Sequence, residues 1–311
     1  MTGYLLRRIG QSALTVLLMV SVVFVLIRLA PGDPAAAYAG PTASPAELAQ
    51  VREQFGLDDP ILQQYWGFLR GLATGDLGTS YSFQAPAFDV VLSRVPYTTT
   101  LAFSAIAVTM LVAVPLGVWM ARRADSGREV GANVLTIAGQ SMPEFWSGIM
   151  LLTVFAVLVP VLPASGFTTW SGLVLPTLTA AVLQIALISR LVRREMAGNL
   201  TAPYLVAARS RGIGERGLVW RYAIANSAIP VLTALGTRFA AMLNGVVVVE
   251  VVFAWPGVGS LVVRALETRD YPLIQAAVLV TSALAILVQL LVDLAYPLLD
   301  PRVRLGKAVA A

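Results

Sequence analysis

The chain has 311 residues, a formal net charge of +5, and 57% hydrophobic against 13% charged residues. Soluble domains usually carry about 25% charged residues, so the composition indicates an integral membrane protein. The sequence has no Cys and no His, and its single Lys is Lys307. These absences exclude disulfides, Cys- or His-based metal sites, Ser/His catalysis and a Lys-containing phosphate-binding loop.

Six apolar stretches are each long enough to cross a bilayer as a helix, which takes about 20 residues. They cover residues 9–30, 101–121, 134–162, 173–189, 228–253 and 274–299. The first is similar to a secretory signal peptide in its basic start, but its apolar run is longer than a signal core and favours a retained helix. The pattern predicts an all-α integral membrane fold with six transmembrane helices.

The distribution of basic residues predicts the orientation, because Lys and Arg are enriched in cytoplasmic loops. With both termini inside, fifteen of the 22 basic residues are cytoplasmic. They are Arg7, Arg8, Arg122, Arg123, Arg128, Arg190, Arg193, Arg194, Arg209, Arg211, Arg216, Arg221, Arg302, Arg304 and Lys307. The N- and C-termini are therefore predicted to be cytoplasmic.

Residues 31–96 form the one long segment predicted to be extracytoplasmic. Within it, residues 45–55 are expected to form a short helix. Ser44 would be its N-cap, Pro45 would occupy the first helical position, and Glu47 stands three residues after the cap. This spacing is that of a capping box, in which two otherwise unpaired backbone N–H groups are satisfied reciprocally.

A second external helix is expected over residues 61–72, and it carries an aromatic stripe. The stripe consists of Tyr65, Trp66 and Phe68. Tyr and Trp are enriched where a membrane meets water, so the stripe suits an interfacial helix at the level of the lipid headgroups. A docking surface for an external partner is the alternative interpretation.

The segment 190–221 carries seven Arg against two Glu, which is more positive charge than orientation requires. Pro203 is placed to begin a short helix, 203–211, and Gly212 is placed to end it. One face of this helix, at i, i+3, i+4 and i+7, holds Tyr204, Ala207, Ala208 and Arg211. A helix of this kind, parallel to the membrane, is predicted to dock into a cleft of a partner.

The candidate coupling residues are Tyr204, Ala207, Ala208, Arg209, Arg211 and Gly212. A solvated basic loop resting on anionic lipid is the alternative. Such a loop would explain the arginines, but it would not explain the bracketing by Pro and Gly or the pair of alanines. Those features favour docking.

Ionisable residues in the bilayer core are costly and usually face a cavity or a partner. Glu144 follows Pro143, whose missing N–H frees a carbonyl in the third span, and broken helices are tolerated where they line a cavity. Pro143, Glu144 and Arg238 are therefore candidates for the translocation path. The alternatives are a proline kink with Glu144 bonded to a neighbouring helix, or an ion pair between Glu144 and Arg238. Glu250 and Asp293, near helix ends, are expected to be structural.

Trp255, Pro256 and Gly257 begin the connection between the fifth and sixth spans. The Pro-Gly turn suits either an external gate or a simple connector, and residues 260–267 are expected to form a short interfacial helix. The small residues of the fifth span permit close helix packing, as at a subunit interface. These small residues are Gly236, Ala240, Ala241 and Gly245.

Several motifs resemble those of one transporter family and together cover nearly the whole chain. Ala207-Ala208-x-x-x-Gly212, followed by Ile224 and Pro230, is similar to the EAA loop of binding-protein-dependent ABC importer permeases. The other motifs are Leu5-Leu6-Arg7-Arg8, Arg28-Leu29-Ala30-Pro31-Gly32-Asp33-Pro34, Phe55-Gly56-Leu57-Asp58, Gly75-Asp76-Leu77-Gly78-Thr79-Ser80, Ser141-Met142-Pro143-Glu144-Phe145-Trp146, Glu250-Val251-Val252-Phe253-Ala254-Trp255-Pro256-Gly257-Val258-Gly259 and Asp300-Pro301-Arg302. They resemble the dipeptide/oligopeptide/nickel branch, the DppB/OppB type. One position departs: Val206 stands where the loop's name-giving Glu would be.

The resemblance implies a type I ABC importer permease in a bacterial inner membrane. It implies a second homologous permease, two ABC ATPase subunits or domains, and an extracytoplasmic substrate-binding protein or lipoprotein. This chain would have no cofactor and no catalytic residue of its own, with ATP and Mg on the partner ATPases, and it would bind no nucleic acid. Peptides are the expected substrate, and nickel, haem and glutathione are the alternatives. With Val206 in place of Glu, docking would depend on shape, the Ala face and Arg contacts.

The expected organisation is a first span with the external segment over residues 1–96, a five-helix transmembrane domain over 97–299, and a cytoplasmic tail over 300–311. The coupling loop would occupy about 190–226. An ion-coupled secondary transporter is the next alternative, but no internal repeat with paired broken helices is visible. An intramembrane protease is a further class, which the absence of His and the position of Lys307 disfavour.

Overall fold

A computed structural model describes residues 2–29, 32–40, 42–124, 126–167 and 169–299. Across these ranges the chain forms fourteen α-helices and no β-strand, apart from one isolated bridge between Thr79 and Pro86. The predicted tail 300–311, including the Asp300-Pro301-Arg302 motif, lies outside the described residues. So do Ala30 and Pro31 of the motif that follows the first span.

The helices are numbered in chain order. They are α1 Thr2–Leu29, α2 Pro34–Ala39, α3 Pro45–Gln54, α4 Ile61–Thr74, α5 Ala87–Arg122, α6 Gly127–Ser141, α7 Glu144–Leu152, α8 Val174–Leu200, α9 Pro203–Ser210, α10 Glu215–Gly217, α11 Ile224–Gly245, α12 Val247–Val252, α13 Val258–Glu267 and α14 Tyr271–Leu299. Two π-helical segments, Thr153–Leu158 and Leu218–Ala223, and a 3-10 turn, Trp170–Leu173, adjoin them.

Five helical stretches are long and apolar enough to cross a membrane. They are Gly10–Leu29, Ala87–Arg122, Trp170–Leu200, Glu215–Leu243 and Tyr271–Val292. A sixth crossing is formed if the bent pair Gly127–Ser141 and Glu144–Leu158 counts as one span. This arrangement confirms the predicted all-α membrane fold, and the predicted six spans are reached if the bent pair is one span.

The third predicted span, 134–162, is wrong as a continuous helix. Its two parts meet at an angle of 101°. Met142 is extended, with φ −76° and ψ 127°, because a residue that precedes proline is disfavoured in the helical region. Pro143 then serves as the N-cap of α7 instead of sitting inside a kinked helix.

The fourth and fifth spans also differ from their predicted bounds. α8 continues ten residues beyond Arg190 to Leu200, so the arginines there lie on a helix and not in a loop. The fifth helical run begins at Glu215 and stops at Gly245, before the separate α12. Gly236 packs inside the chain, since a Cβ at this position would lie 2.3 Å from the Cγ2 atom of Val292. The small surface at Gly236 is therefore filled by the chain's own last helix.

The chain divides into two compact units, residues 1–98 with 256–286 and residues 99–255 with 287–311. In the first unit, α3 has the predicted capping box. The Ser44 hydroxyl accepts a bond of 3.3 Å from the Glu47 amide, and the Ser44 amide donates one of 2.7 Å to the Glu47 carboxylate. The core of this unit gathers buried side chains from the ends of α1 and α14, the 77–91 region and α13.

The predicted aromatic stripe of α4 is divided between two surroundings. Tyr65 and Phe68 pack on Phe24 of α1, with ring centroids 5.1 and 5.5 Å away. Trp66 points outwards and is 65% exposed. The stripe is thus partly internal packing of the first unit and leaves Trp66 available to lipid or a partner.

Candidate coupling and translocation sites

The short helix α9 begins and ends where the Pro and Gly residues predict. Ala202 is extended and precedes Pro203 at the first helical position. At the other end Arg211 is the C-cap, and Gly212 follows with φ +80° in the left-handed region. Since only glycine adopts that region without steric cost, Gly212 ends the helix at a fixed point.

Burial separates the two faces of α9. Leu205 and Ala208 are each 1% exposed and belong to the core of the second unit, together with Met196, Leu218 and Val219. The prediction that Ala208 belongs to the docking face of this helix is therefore wrong, because its side chain packs in the chain's own core. The exposed side chains are Pro203, Tyr204, Val206, Ala207, Arg209 and Ser210.

Side-chain hydrogen bonds tie α9 to the two long helices on either side of it. The Tyr204 hydroxyl donates to Asn199 Oδ1 at 2.9 Å, and Asn199 Nδ2 donates to the Ser227 hydroxyl at 2.8 Å. Asn199 lies near the end of α8 and Ser227 near the start of α11. Sequence reasoning missed both residues, because nothing local distinguishes Asn199 from an ordinary polar residue at a helix end.

The turn that follows α9 is held by an ion pair. Arg209 and Glu215 approach to 2.8 Å, and both side chains are about half exposed. Arg211 bonds back to the Ala207 carbonyl at 3.2 Å. The predicted coupling residues thus occupy one short helix and its C-terminal turn, with Ala208 on the inner face and the others on the outer side.

The arginines at the start of the predicted basic segment face α6. Arg193 Nε lies 2.7 Å from Glu129 Oε1, and Arg190 donates a hydrogen bond to Gln140. Glu129 is nearly fully buried, whereas Arg194 is largely exposed. Arg190 and Arg193 therefore support packing between α6 and α8, and the candidate coupling residues lie on α9 and its turn.

The candidate translocation residues lie at the break between α6 and α7 and on α11. Glu144 is half-buried at the first position of α7, and Pro143 is exposed. Arg238 on α11 is exposed, and no ion pair joins it to Glu144 in the part of the chain that the structure describes. The role of these three residues in a translocation path stays a prediction.

Close packing holds α7 after its sharp bend. A Cβ on Gly148 would lie 3.2 Å from Thr179 Cγ2. It would lie 3.4 Å from Phe253 Cε2 and also 3.4 Å from Val252 Cγ1. α7 thus packs against both α8 and α12. Glu144 is fixed at the start of a helix that has little room to shift.

Trp255 is a deeply buried member of the three candidate gate residues. It is 1% exposed, its ring meets Phe167 edge to face at 4.8 Å, and its amide donates to the Glu250 carbonyl at 2.7 Å. Pro256 and Gly257 belong to the first unit, where Gly257 precedes α13. Any gating motion at Trp255 would have to separate packed rings.

The multiple long apolar helices define an integral membrane protein. The chain belongs to the binding-protein-dependent transport system inner membrane component family, whose model matches residues 113–305. The model for the N-terminal part of such membrane components matches residues 1–102. The protein is therefore a multi-pass permease of the bacterial inner membrane, and the predicted family is confirmed.

Similar proteins cover almost the full chain. A probable peptide ABC transporter permease of Sinorhizobium fredii is 37% identical over 310 residues, which is 97% of this chain and 99% of that protein. The glutathione transport system permease protein GsiC of Salmonella typhi is 36% identical over 308 residues, which is 98% of this chain and 99% of that protein.

One solved structure shares the fold at low identity. It is the inward-facing MetNI methionine ABC transporter, with a TM-score of 0.55, 15% identity, and coverage of 68% of this chain and 96% of that one. Together with the family match, this likeness confirms the predicted ABC importer permease fold.

Proposed function

We propose that this permease carries short peptides through the inner membrane, in an importer driven by separate ATPase subunits that bind ATP and Mg. A second, homologous permease would complete the pore, and an extracytoplasmic binding protein or lipoprotein would deliver the peptide. The names of the two relatives above support this substrate class, since glutathione is itself a short peptide. The proposed route includes the break at Pro143 and Glu144, with Arg238 facing the same path.

One observation supports the proposed coupling: the outer face of α9 is exposed while its inner face is clamped. Leu205 and Ala208 anchor it in the core, and the bond from Tyr204 to Asn199 fixes its orientation. A push on the outer face would therefore be transmitted to α8 and α11 instead of being absorbed by a loose loop.

Val206 makes the proposed contact between α9 and the ATPase apolar. It is 57% exposed, and Tyr204 on the same helix is also partly exposed. An apolar helix face suits an apolar groove in the ATPase, the helix-in-groove mode of recognition. Arg209 and Arg211 would flank this contact, while the name-giving Glu of the loop has no counterpart here.

Crosslinking tests the coupling site directly, because the chain has no Cys. A photoreactive maleimide attached to the Ala207→Cys variant should crosslink to the ATPase in the assembled complex. The matched control is Leu62→Cys on α4, which is also exposed and should not crosslink. Equal crosslinking at both positions, or none at position 207, would rule out α9 as the docking helix.

Uptake in proteoliposomes tests the transport class. The complete complex should accumulate a labelled dipeptide only with ATP and the binding protein present. Uptake driven by an ion gradient, with this chain alone, would overturn the proposal in favour of a secondary transporter.

A further inference from the structure

The first unit contains a cavity of about 580 Å³, and its lining includes no residue of α9 or of the α6–α7 break. Its wall comes from the end of α1, from α4 and the turns that flank it, and from the start of α14. Pockets that hold small ligands commonly measure about 300–1,000 Å³. The cavity is therefore large enough for a molecule of the size of a dipeptide.

Arg28 lines this cavity and is held in place by uncharged groups. Its guanidinium lies 3.4 Å from the centroid of the Phe24 ring, its Nε donates to Gln64 Oε1 at 2.8 Å, and its Nη1 donates to the Phe24 carbonyl at 3.3 Å. No carboxylate among the described residues forms an ion pair with it. A half-buried cation without a counter-ion is costly and favours binding of an anionic group.

The hydrogen bonds of Gln64 show that the Arg28 guanidinium is held in one orientation. Both donor directions of the Gln64 amide are used, since its Nε2 bonds to the carbonyls of Leu57 and Asp59 at 3.1 and 2.9 Å. The Gln64 oxygen must therefore face Arg28. The planar fork of Arg28 is thus fixed from one side, as bidentate recognition of an oxyanion requires.

Gln275 supplies an independent sign of a ligand. It lines the same cavity, it is only 6% exposed, and its Nε2 has no hydrogen-bond partner within the described part of the chain. A buried donor left unpaired costs about 1–3 kcal/mol. An acceptor group bound in the cavity would satisfy it.

The charges around the cavity indicate a ligand without net charge. Besides Arg28, the lining includes the exposed residues Arg70, Asp59 and Asp76. These four charges cancel, so a dianion such as phosphate is not matched. A molecule with one carboxylate and one ammonium group matches this lining, because the arginines suit its carboxylate and the aspartates suit its ammonium group.

We propose that this cavity binds a small zwitterionic solute, with its carboxylate on Arg28 and Gln275 and its ammonium group towards Asp59 and Asp76. The site lies outside the proposed coupling and translocation residues. Its occupation does not depend on transport, on ATP or on the docking of α9.

The test uses the full chain in nanodiscs and saturation-transfer NMR, which detects weak ligands. The probes are L-alanyl-L-alanine and its C-terminal amide, which lacks the carboxylate. The dipeptide should give a signal, and the amide should bind at least about tenfold more weakly, as expected for the loss of a charge-assisted hydrogen bond.

Three variants locate the site. Arg28→Gln and Gln275→Leu should each weaken binding of the dipeptide, the latter without loss of thermal stability because it removes an unsatisfied donor. Gly67→Leu should fill the cavity, since Gly67 lines it and a Cβ there would meet no atom within 4 Å. The matched control is Gly10→Leu, at another helical glycine with no neighbour within 4 Å.

Two results would overturn the proposal. One is a dipeptide signal that is the same in wild type, Gly67→Leu and Gln275→Leu. The other is the absence of any dipeptide signal while native mass spectrometry finds a phospholipid retained by wild type and Gly10→Leu but not by Gly67→Leu, since the cavity would then hold a lipid headgroup.

Discussion

The carboxylate of Glu129, at the start of α6, lies 2.7 Å from the guanidinium of Arg193 on α8. Glu129 is nearly fully buried, and about two thirds of the Arg193 side chain is covered. The Arg193 Nε–H does not point at the oxygen, so the contact is a pairing of charges and not a hydrogen bond. It joins α6, which ends at the α6–α7 break, to α8, which precedes α9.

Removing one partner of this pair should destabilise the second unit. Glu129→Gln leaves a largely covered cation unpaired, and we expect the free energy of unfolding to fall by about 2 kcal/mol, less than for a fully buried pair. Denaturant unfolding in detergent measures the change. The control is Glu195→Gln, because its partner Arg194 is 75% exposed and the two side chains are 3.5 Å apart, so loss of this pair should cost less than about 1 kcal/mol. Equal effects would contradict a structural role for Glu129.

Gly212 should be sensitive even to a methyl group. Gly212→Ala places an L-residue at φ +80°, which costs about 1–2 kcal/mol and should loosen the end of α9. We expect less dipeptide uptake per ATP hydrolysed in the reconstituted complex. Gly214→Ala is the control, since Gly214 has φ −66° and both positions have open space around a Cβ. Unchanged coupling in Gly212→Ala would remove the requirement for a fixed helix end.

Acid should loosen the segment that follows the first span. Burial raises the pKa of Asp33, but the hydrogen bonds from Arg52 and from the Ala35 amide outweigh it, and the pKa is lower than usual. A depressed pKa stabilises the fold above the unfolded-state pKa, and this contribution is lost as pH falls through the folded-state value. We therefore expect faster hydrogen exchange in α2, relative to the intrinsic rate, below about pH 4.

The control for this pH effect is Asp33→Asn, which keeps an N-capping oxygen but has no carboxylate to titrate. Its exchange in α2 should not depend on protonation between about pH 3 and pH 5. If the variant and the wild type show the same pH dependence, another group is responsible.

The predicted orientation can be checked with two single-cysteine variants. A membrane-impermeant maleimide should label Leu62→Cys from outside intact cells, because residues 31–96 are predicted to be external. It should label Ala207→Cys only after permeabilisation, because the basic segment is predicted to be cytoplasmic. The reverse pattern would place both termini on the outside.

Local signals in the sequence were sufficient for several elements. The capping box of α3 and the bracketing of α9 by Pro203 and Gly212 are confirmed, because each depends on backbone groups within a few residues. The presence of apolar helical spans is also confirmed. A long apolar run enters lipid, and inside lipid the backbone must form a helix to satisfy its own polar groups. The departures are at the ends of spans and at Pro143, where neighbouring helices decide how a break is used.

The sequence by itself determined that this protein is a membrane protein of helical spans with a short helix between Pro203 and Gly212, since composition, periodicity and caps are properties of neighbouring residues. The tertiary structure alone decided that Ala208 faces inwards, that Arg193 meets Glu129, and that Arg28 and Gln275 line one cavity. Each of these relations joins residues far apart in the chain or depends on which face of a helix finds a core. Contacts of this kind are set by packing, which no local pattern records.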